Sequence, residues 1–284
     1  MISRRQCLTT LGAGAAAALS LARARAATSR VQVGVCAAPG DLAKAESYGF
    51  DYLEPPAAAL AAMSAADFQA FRARVLASRL RCTSLNSFVR KLRVVGEGVR
   101  TEDVQEYLNV CLPRCQEVGG EIVVWGSAGS RNVPEGFPRE RAWEQIKTFL
   151  RAAGDAAHPR RLVIAIEPLR RQESNIINTA AEALRLVREV HHPNVRMIVD
   201  YYHLRAENED PEIIWTARRE IVHFHFANPQ GRRWPKSASE DPEYARFFEL
   251  VRKIHFRGGI SIEGNGSFEL DARASLEFFH QELA

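Results

Sequence analysis

From Val31 onward, short apolar runs rich in β-branched residues alternate with longer stretches of helical periodicity. Eight runs read as strands: Val31–Cys36, Phe50–Leu53, Cys82–Leu85, Ile122–Trp125, Leu162–Ile166, Val195–Val199, Ile221–Phe226 and Gly259–Ile262. The stretches between them carry helix start and stop signals. Ser64 precedes Ala65–Ala77, with Asp67 placed to complete a capping box. Thr101 starts Glu102–Val118, which Gly119-Gly120 stops. Pro138 starts Arg139–Ala153, Thr179 starts Ala180–Val190, and Asp271 starts Ala272–Leu283. Glu243–Ile254 fills the gap before the last strand. Such alternation argues for parallel strands joined by helices. Residues 27–284 are therefore predicted to form a single (β/α)8 TIM barrel, with an open doubly wound sheet as the alternative. Cys36-Ala37-Ala38-Pro39-Gly40 follows the first strand and is not a Gly-rich phosphate loop, which weakens a nucleotide-binding reading.

Four strands in the second half end in a possible metal ligand. They are Ile164-Ala165-Ile166-Glu167, Met197-Ile198-Val199-Asp200, Val222-His223-Phe224-His225 and Ile260-Ser261-Ile262-Glu263. Ionisable groups at buried strand ends are costly unless paired or metal-bound. In a barrel these four strands are neighbours, so their ends can converge. Each residue has a blander reading. Glu167 before Pro168 could cap a helix, Asp200 could be an N-cap, and Glu263 before Gly264 could sit in a turn. His223 and His225 alternate with Phe and point to one face, so one is the ligand and the other packs or supports it. Three carboxylates and an imidazole suit a hard divalent ion, Mn2+ foremost, with Mg2+, Co2+ or Zn2+ as alternatives. In the first half, Glu54 could contact substrate or be a loop acid, and Asn86 and Trp125 could line a pocket. Phe88 could stack on a sugar, though a core aromatic is the reading preferred.

The formal charge of +4 changes little in this picture. Residues 1–26 hold Arg4, Arg5, Arg23 and Arg25 and no acid; subtracting these four from the 38 Lys and Arg leaves 34, equal to the 34 Asp and Glu. A neutral body offers no electrostatic footprint for nucleic acid. Ser3-Arg4-Arg5-Gln6-Cys7-Leu8 resembles a twin-arginine export motif, followed by an Ala/Gly/Leu-rich stretch and the A-x-A sequence Ala24-Arg25-Ala26. Residues 1–26 are read as a signal peptide handed to the export machinery, with a periplasmic or secreted chain starting near Ala27. No later stretch is long and apolar enough to span a bilayer. Cys36, Cys82, Cys111 and Cys115 read as free or helix-packed thiols, since their spacing is not that of a zinc motif. An oligomer is compatible with all of this.

The chain from about Val31 to Ala284 resembles the xylose-isomerase-like barrel superfamily, in its sugar isomerase/epimerase branch. The resemblance is carried by Ile166-Glu167-Pro168-Leu169 with Arg171 and Glu173, Asp200-Tyr201-Tyr202-His203, and His223-Phe224-His225 with Asn228 and Arg232. Ile262-Glu263-Gly264 and the segment from Gly126-Ser127 to Phe137 add to it. The resemblance implies that Glu167, Asp200, His225 and Glu263 hold the metal, and that Glu167 and Glu263 are also the acid/base pair. It further implies that Glu173, His203 and Arg232 bind substrate oxygens, with His223 added from its place beside His225. Arg170 stands where such proteins commonly have Asn, and Arg232 comes one residue late, leaving Arg233 an equal candidate.

The chemistry so implied is proton abstraction next to a carbonyl, through an enediolate, by a metal-dependent sugar isomerase or epimerase. Export favours an unphosphorylated sugar or an oxidised glycoside, while the arginines favour a sugar acid. Alternatives are β-elimination on a 3-keto glycoside and a non-catalytic periplasmic sugar binder. A multi-metal nuclease would need extra histidines from the first half, and none occurs between Val31 and Ala157.

Overall fold

A computed structural model of the chain describes residues 30–284. The signal peptide expected over residues 1–26 lies outside them. Eight parallel strands alternate with helices, as the apolar pattern predicts. They are β1 Gln32–Cys36, β2 Tyr52–Glu54, β3 Ser84–Leu85, β4 Ile122–Trp125, β5 Val163–Ile166, β6 Val195–Asp200, β7 Ile221–Phe226 and β8 Gly259–Ile262. The ladder runs β2-β1-β8-β7-β6-β5-β4-β3. Between β2 and β3 the ring is closed by single bonds, Leu53 N–H to Arg81 O at 3.1 Å and Asn86 N–H to Pro55 O at 3.2 Å. This is a (β/α)8 TIM barrel.

The helices are α1 Leu42–Tyr48, α2 Ala57–Ala62, α3 Ala65–Ala77, α4 Thr101–Glu117, α5 Ala128–Arg131, α6 Arg139–Ala157, α7 Ala180–Val190, α8 Tyr201–Ala206, α9 Ile213–Thr216, α10 Tyr244–Lys253 and α11 Phe268–Glu282. Thr179 and Glu182 complete a capping box on α7, and the Ser64 side chain accepts from Asp67 N–H on α3. The last helix starts before Asp271, contrary to the sequence reading. Asp271 lies inside α11 and reaches back, accepting the Ser267 N–H at 2.7 Å. A carboxylate one turn into a helix satisfies an orphan donor as well as one at the cap.

Side chains alternate between the two faces of each strand. The outward set builds the main core against the helices. Trp125 packs on Phe149 of α6 with ring centroids 5.0 Å apart, and Phe226 packs on Phe247, Phe248 and Phe279. Trp125 is fully buried there, so it does not line the mouth. Phe88 lies in the same core, beside Tyr107 and Phe149. The inward set is smaller and more polar. Val124, Ala165 and Ile198 form a separate apolar cluster, and the inward residues two steps later on β5 and β6 are Glu167 and Asp200. The four described cysteines are free, with Cys111 and Cys115 buried on α4. Among the described residues no helix is long and apolar enough to cross a membrane.

Candidate metal centre

Register brings the strand ends together. Asp200 of β6 pairs with His225 of β7, helped by a shift in the ladder at Met197/Ile198, and Phe226 pairs with Ile262, the residue before Glu263. Glu167 follows β5 directly. Donor atoms of Glu167, Asp200, His225 and Glu263 all lie within 4.8 Å of one another. His225 is the hub. Its Nδ1 stands 3.1 Å from Glu167 Oε1 and 3.2 Å from Glu263 Oε2, while its Nε2 stands 2.9 Å from Glu54 Oε1.

Glu167 reaches this point because of two residues on the segment after β4. Gly126 leaves the space, since a Cβ there would lie 1.6 Å from Glu167 Oε2. Arg131, fully buried on α5, donates from Nη1 to Trp125 O at 2.9 Å and from Nη2 to Glu167 O at 2.7 Å. The guanidinium therefore ties the ends of β4 and β5 together.

The charges are unbalanced in a way that favours a cation. Three carboxylates meet one imidazole and one guanidinium, Arg232, whose Nη2 lies 2.7 Å from Glu263 Oε2 and 3.6 Å from Asp200 Oδ2. Burial resists a charge on His225, but Glu54, Cys36, Glu263 and Glu167 hold its proton affinity well above the usual histidine range. Burial, reinforced by Glu263, raises Glu167. Burial also acts on Glu263, yet His225 and Arg232 outweigh it and hold its carboxyl at about 2. Asp200 is pushed up to about 7, chiefly by burial, with Arg232 opposing. Asp200 Oδ2 is buried and accepts no hydrogen bond. An orphaned buried carboxylate oxygen, in a donor set of three carboxylates and one imidazole, fits a hard divalent ion.

The residues implied to hold substrate surround this cluster. Arg170 Nε donates to Glu173 Oε1 at 2.8 Å, and Arg232 Nη1 lies 3.6 Å from Glu173 Oε2. Both guanidiniums lie 4.9 Å from the centre of the Tyr202 ring. His203 Nδ1 accepts from Arg170 N–H at 3.2 Å, which places a neutral ring's proton on Nε2, 3.5 Å from Asp200 Oδ2. Burial, aided by Arg232, pushes His203 down to about 3, so the ring is neutral. Arg232, not Arg233, turns toward the ligands; Arg233 donates to Gln230 O in the exposed part of the loop. Arg171 is likewise taken outward, by Glu207.

Two expectations change. His223 is not at the mouth beside Glu173, His203 and Arg232. It lies one inward position below His225, fully buried, with Nε2 2.9 Å from Glu54 Oε2. Glu54 is neither a loop acid nor placed for substrate, because both of its oxygens face histidines inside the barrel. The sequence signal was the strand end Tyr52-Leu53-Glu54, which has the same form as the four ligand strands. Asn86 supports Glu54, donating from Nδ2 to its carbonyl at 2.9 Å.

Residues 42–282 match the profile of the Xylose isomerase-like TIM barrel. The chain belongs to this family. Within it, the chain is 30% identical over 165 residues to the 3-dehydro-D-guloside 4-epimerase of Escherichia coli K12, a match covering 56% of this chain and 62% of that enzyme. It is 29% identical over 138 residues to the L-ribulose 3-epimerase of Methylomonas sp. DH-1, covering 48% and 47%. The matched segments thus span less than two thirds of these curated relatives. Among solved structures of this barrel, a D-psicose 3-epimerase crystallised in the presence of D-fructose superposes with a TM-score of 0.79 at 18% identity, covering 89% of this chain and 99% of that one. The apo E. coli 3-keto-D-glucoside 4-epimerase gives 0.76 at 20% identity, covering 89% and 100%. An AP endonuclease of family 2 from Brucella melitensis gives 0.73 at 18% identity, covering 90% and 99%. At these identities the structural likeness establishes the fold alone.

Proposed function

We propose that this chain is a divalent-metal-dependent sugar epimerase that inverts a carbon adjacent to a ketone. The observation that carries the reading is the convergence of Glu167 and Glu263, from the ends of β5 and β8, on the same nitrogen of His225. These strands are separated in the ring by β6 and β7, so the two carboxylates approach the site from different sides. A divalent ion, Mn2+ foremost, held by Glu167, Asp200, His225 and Glu263 would supply Lewis-acid polarisation of a carbonyl. One glutamate takes the proton from the carbon beside the ketone, and the other delivers a proton to the opposite face. Arg232, Glu173 and His203 hold the sugar's oxygens around that carbon.

Both kinds of curated relative carry names with the same chemical logic: a 4-epimerase acting on a 3-dehydro sugar, and a 3-epimerase acting on a 2-ketose. In each, the inverted carbon neighbours the ketone. This supports a free ketose or a 3-keto glycoside as the substrate class. The likeness to the AP endonuclease does not support a nuclease, because every possible ligand cluster among the described residues shares His225, which suits one ion. We also propose that residues 1–26 direct twin-arginine export, so that the enzyme meets its substrate outside the cytoplasm. The test is a screen of metal-reloaded protein against free ketoses, sugar acids and 3-keto glycosides, read by NMR for the epimer. An epimer supports the reading. Release of an aglycone without an epimer would replace it with β-elimination, and binding without turnover would replace it with a sugar-binding barrel.

A further inference from the structure

Below the ligand cluster the barrel holds a second polar layer built around Glu54. This residue is fully buried, and each of its oxygens has a fixed neighbour. Oε1 lies 2.9 Å from His225 Nε2. Oε2 lies 2.9 Å from His223 Nε2 and also accepts from the Ser261 hydroxyl. Ser261 is fixed in turn by Tyr52, whose hydroxyl lies 2.8 Å away. The carboxylate cannot turn away from His225 without breaking this network.

We propose that Glu54 is the positioning residue that makes His225 a ligand through Nδ1. A neutral imidazole carries a proton on one nitrogen and a lone pair on the other. An ionised carboxylate can only accept, so Glu54 places the His225 proton on Nε2. With Nε2–H held by Glu54, Nδ1 is the ring nitrogen left to meet an ion, and it faces Glu167 and Glu263 at 3.1 and 3.2 Å. A carboxylate behind a metal-binding histidine also makes the ring a better donor, an effect that typically changes metal affinity by about 10–100-fold. The other neighbour of Nε2, Cys36 Sγ at 3.9 Å, is too distant to set the tautomer. His223 supports Glu54 from the far side, with its ring 5.2 Å from that of His225. The inference requires an ion at this cluster but no particular sugar reaction.

The test uses the full chain and two readouts that do not depend on turnover. Equilibrium dialysis gives the Mn2+ Kd of wild type, Glu54→Leu and Glu54→Gln, with circular dichroism as the check on folding. Histidine 15N spectra of Mg2+-loaded protein report which His225 nitrogen carries hydrogen, with His225→Gln providing the assignment. The expected results are a Kd raised about 10–100-fold in Glu54→Leu and a smaller rise in Glu54→Gln, whose amide oxygen can still accept from Nε2–H. In wild type, His225 should be protonated on Nε2 alone, and Glu54→Leu should lose that preference. A wild-type spectrum with the proton on Nδ1 would overturn the proposal, as would a folded Glu54→Leu binding Mn2+ as wild type does. Should Glu54→Leu not fold, the wild-type spectrum decides. A protein that passes these tests and epimerises no sugar would refute the epimerase reading and leave the role of Glu54 intact.

Discussion

Replacing Gly126 with alanine separates a metal-site account from a merely structural one. Gly126 has a backbone conformation that alanine can adopt, so the effect is purely spatial. Its new Cβ would lie 1.6 Å from Glu167 Oε2, 2.6 Å from Cδ and 3.2 Å from Cβ, against ordinary contacts of 3.4 Å or more. The carboxylate oxygen must therefore retreat by about 1.8 Å (from 1.6 to 3.4 Å). The main chain of Glu167 cannot yield easily, being held by its N–H to Trp125 O at 3.2 Å and by Arg131 at its carbonyl. The displacement falls on the carboxylate proposed both to hold the ion and to move the proton. Misplacing a reacting group by about 1 Å can cost about 100-fold, so kcat/KM should fall by at least that much. Overpacking costs about 1–3 kcal/mol, so Tm should fall by several degrees. The control is Gly129→Ala, where nothing lies within 4 Å of the new Cβ. The assay measures Mn2+ affinity, epimer formation and Tm for both variants. If Gly126→Ala behaves as Gly129→Ala does, the assigned role of Glu167 is wrong.

Arg131→Met should lower Tm by several degrees, since the buried Glu167 carbonyl loses its donor at about 1–3 kcal/mol while Trp125 O keeps only the Glu167 N–H; a Tm within a degree of wild type would contradict the strand-tying role. Metal loading should weaken on acidification. His225 keeps its proton well above the usual histidine range and Asp200 is pushed up to about 7, so an ion displaces both protons and the apparent Kd should rise with falling pH, more steeply below about 7. Dialysis across pH 5–8 checks this, and a profile that does not steepen below about 7 would exclude Asp200 as a ligand. On export, the secreted chain should begin near Ala27 by intact mass, and Arg4→Lys with Arg5→Lys should retain the precursor in the cytoplasm.

The fold was legible because barrel strands and helices carry different apolar periods, and the connections are rich in Gly, Pro and capping residues. Strand ends were equally legible: Glu167, Asp200, His225 and Glu263 stand out as ionisable residues closing apolar runs. Glu54 stands in the same position on β2, yet it was hidden because its partners are about 170 residues away in sequence, and only ring closure brings β2 within two strands of β7. His223 was placed on the correct face but at the wrong depth. Alternation assigns a side chain to the barrel interior and does not say which layer it occupies. Trp125 was misread for a related reason, since it lies one residue from the inward-facing Gly126 and points the other way. The short helices α5 and α8 carry too few residues for a periodic signal, although Arg131 and His203 act from them.

Glu167 and Glu263 are proposed to exchange a proton with a sugar carbon beside a ketone. Incubating Mn2+-loaded protein with keto-sugars in D2O, and following the carbon-bound hydrogen by NMR, tests it directly. Wild type should place deuterium at the inverted carbon, and Glu263→Gln that still binds metal should lose about 100-fold or more of the exchange. Epimer formed without deuterium, or exchange undiminished in Glu263→Gln, would contradict it.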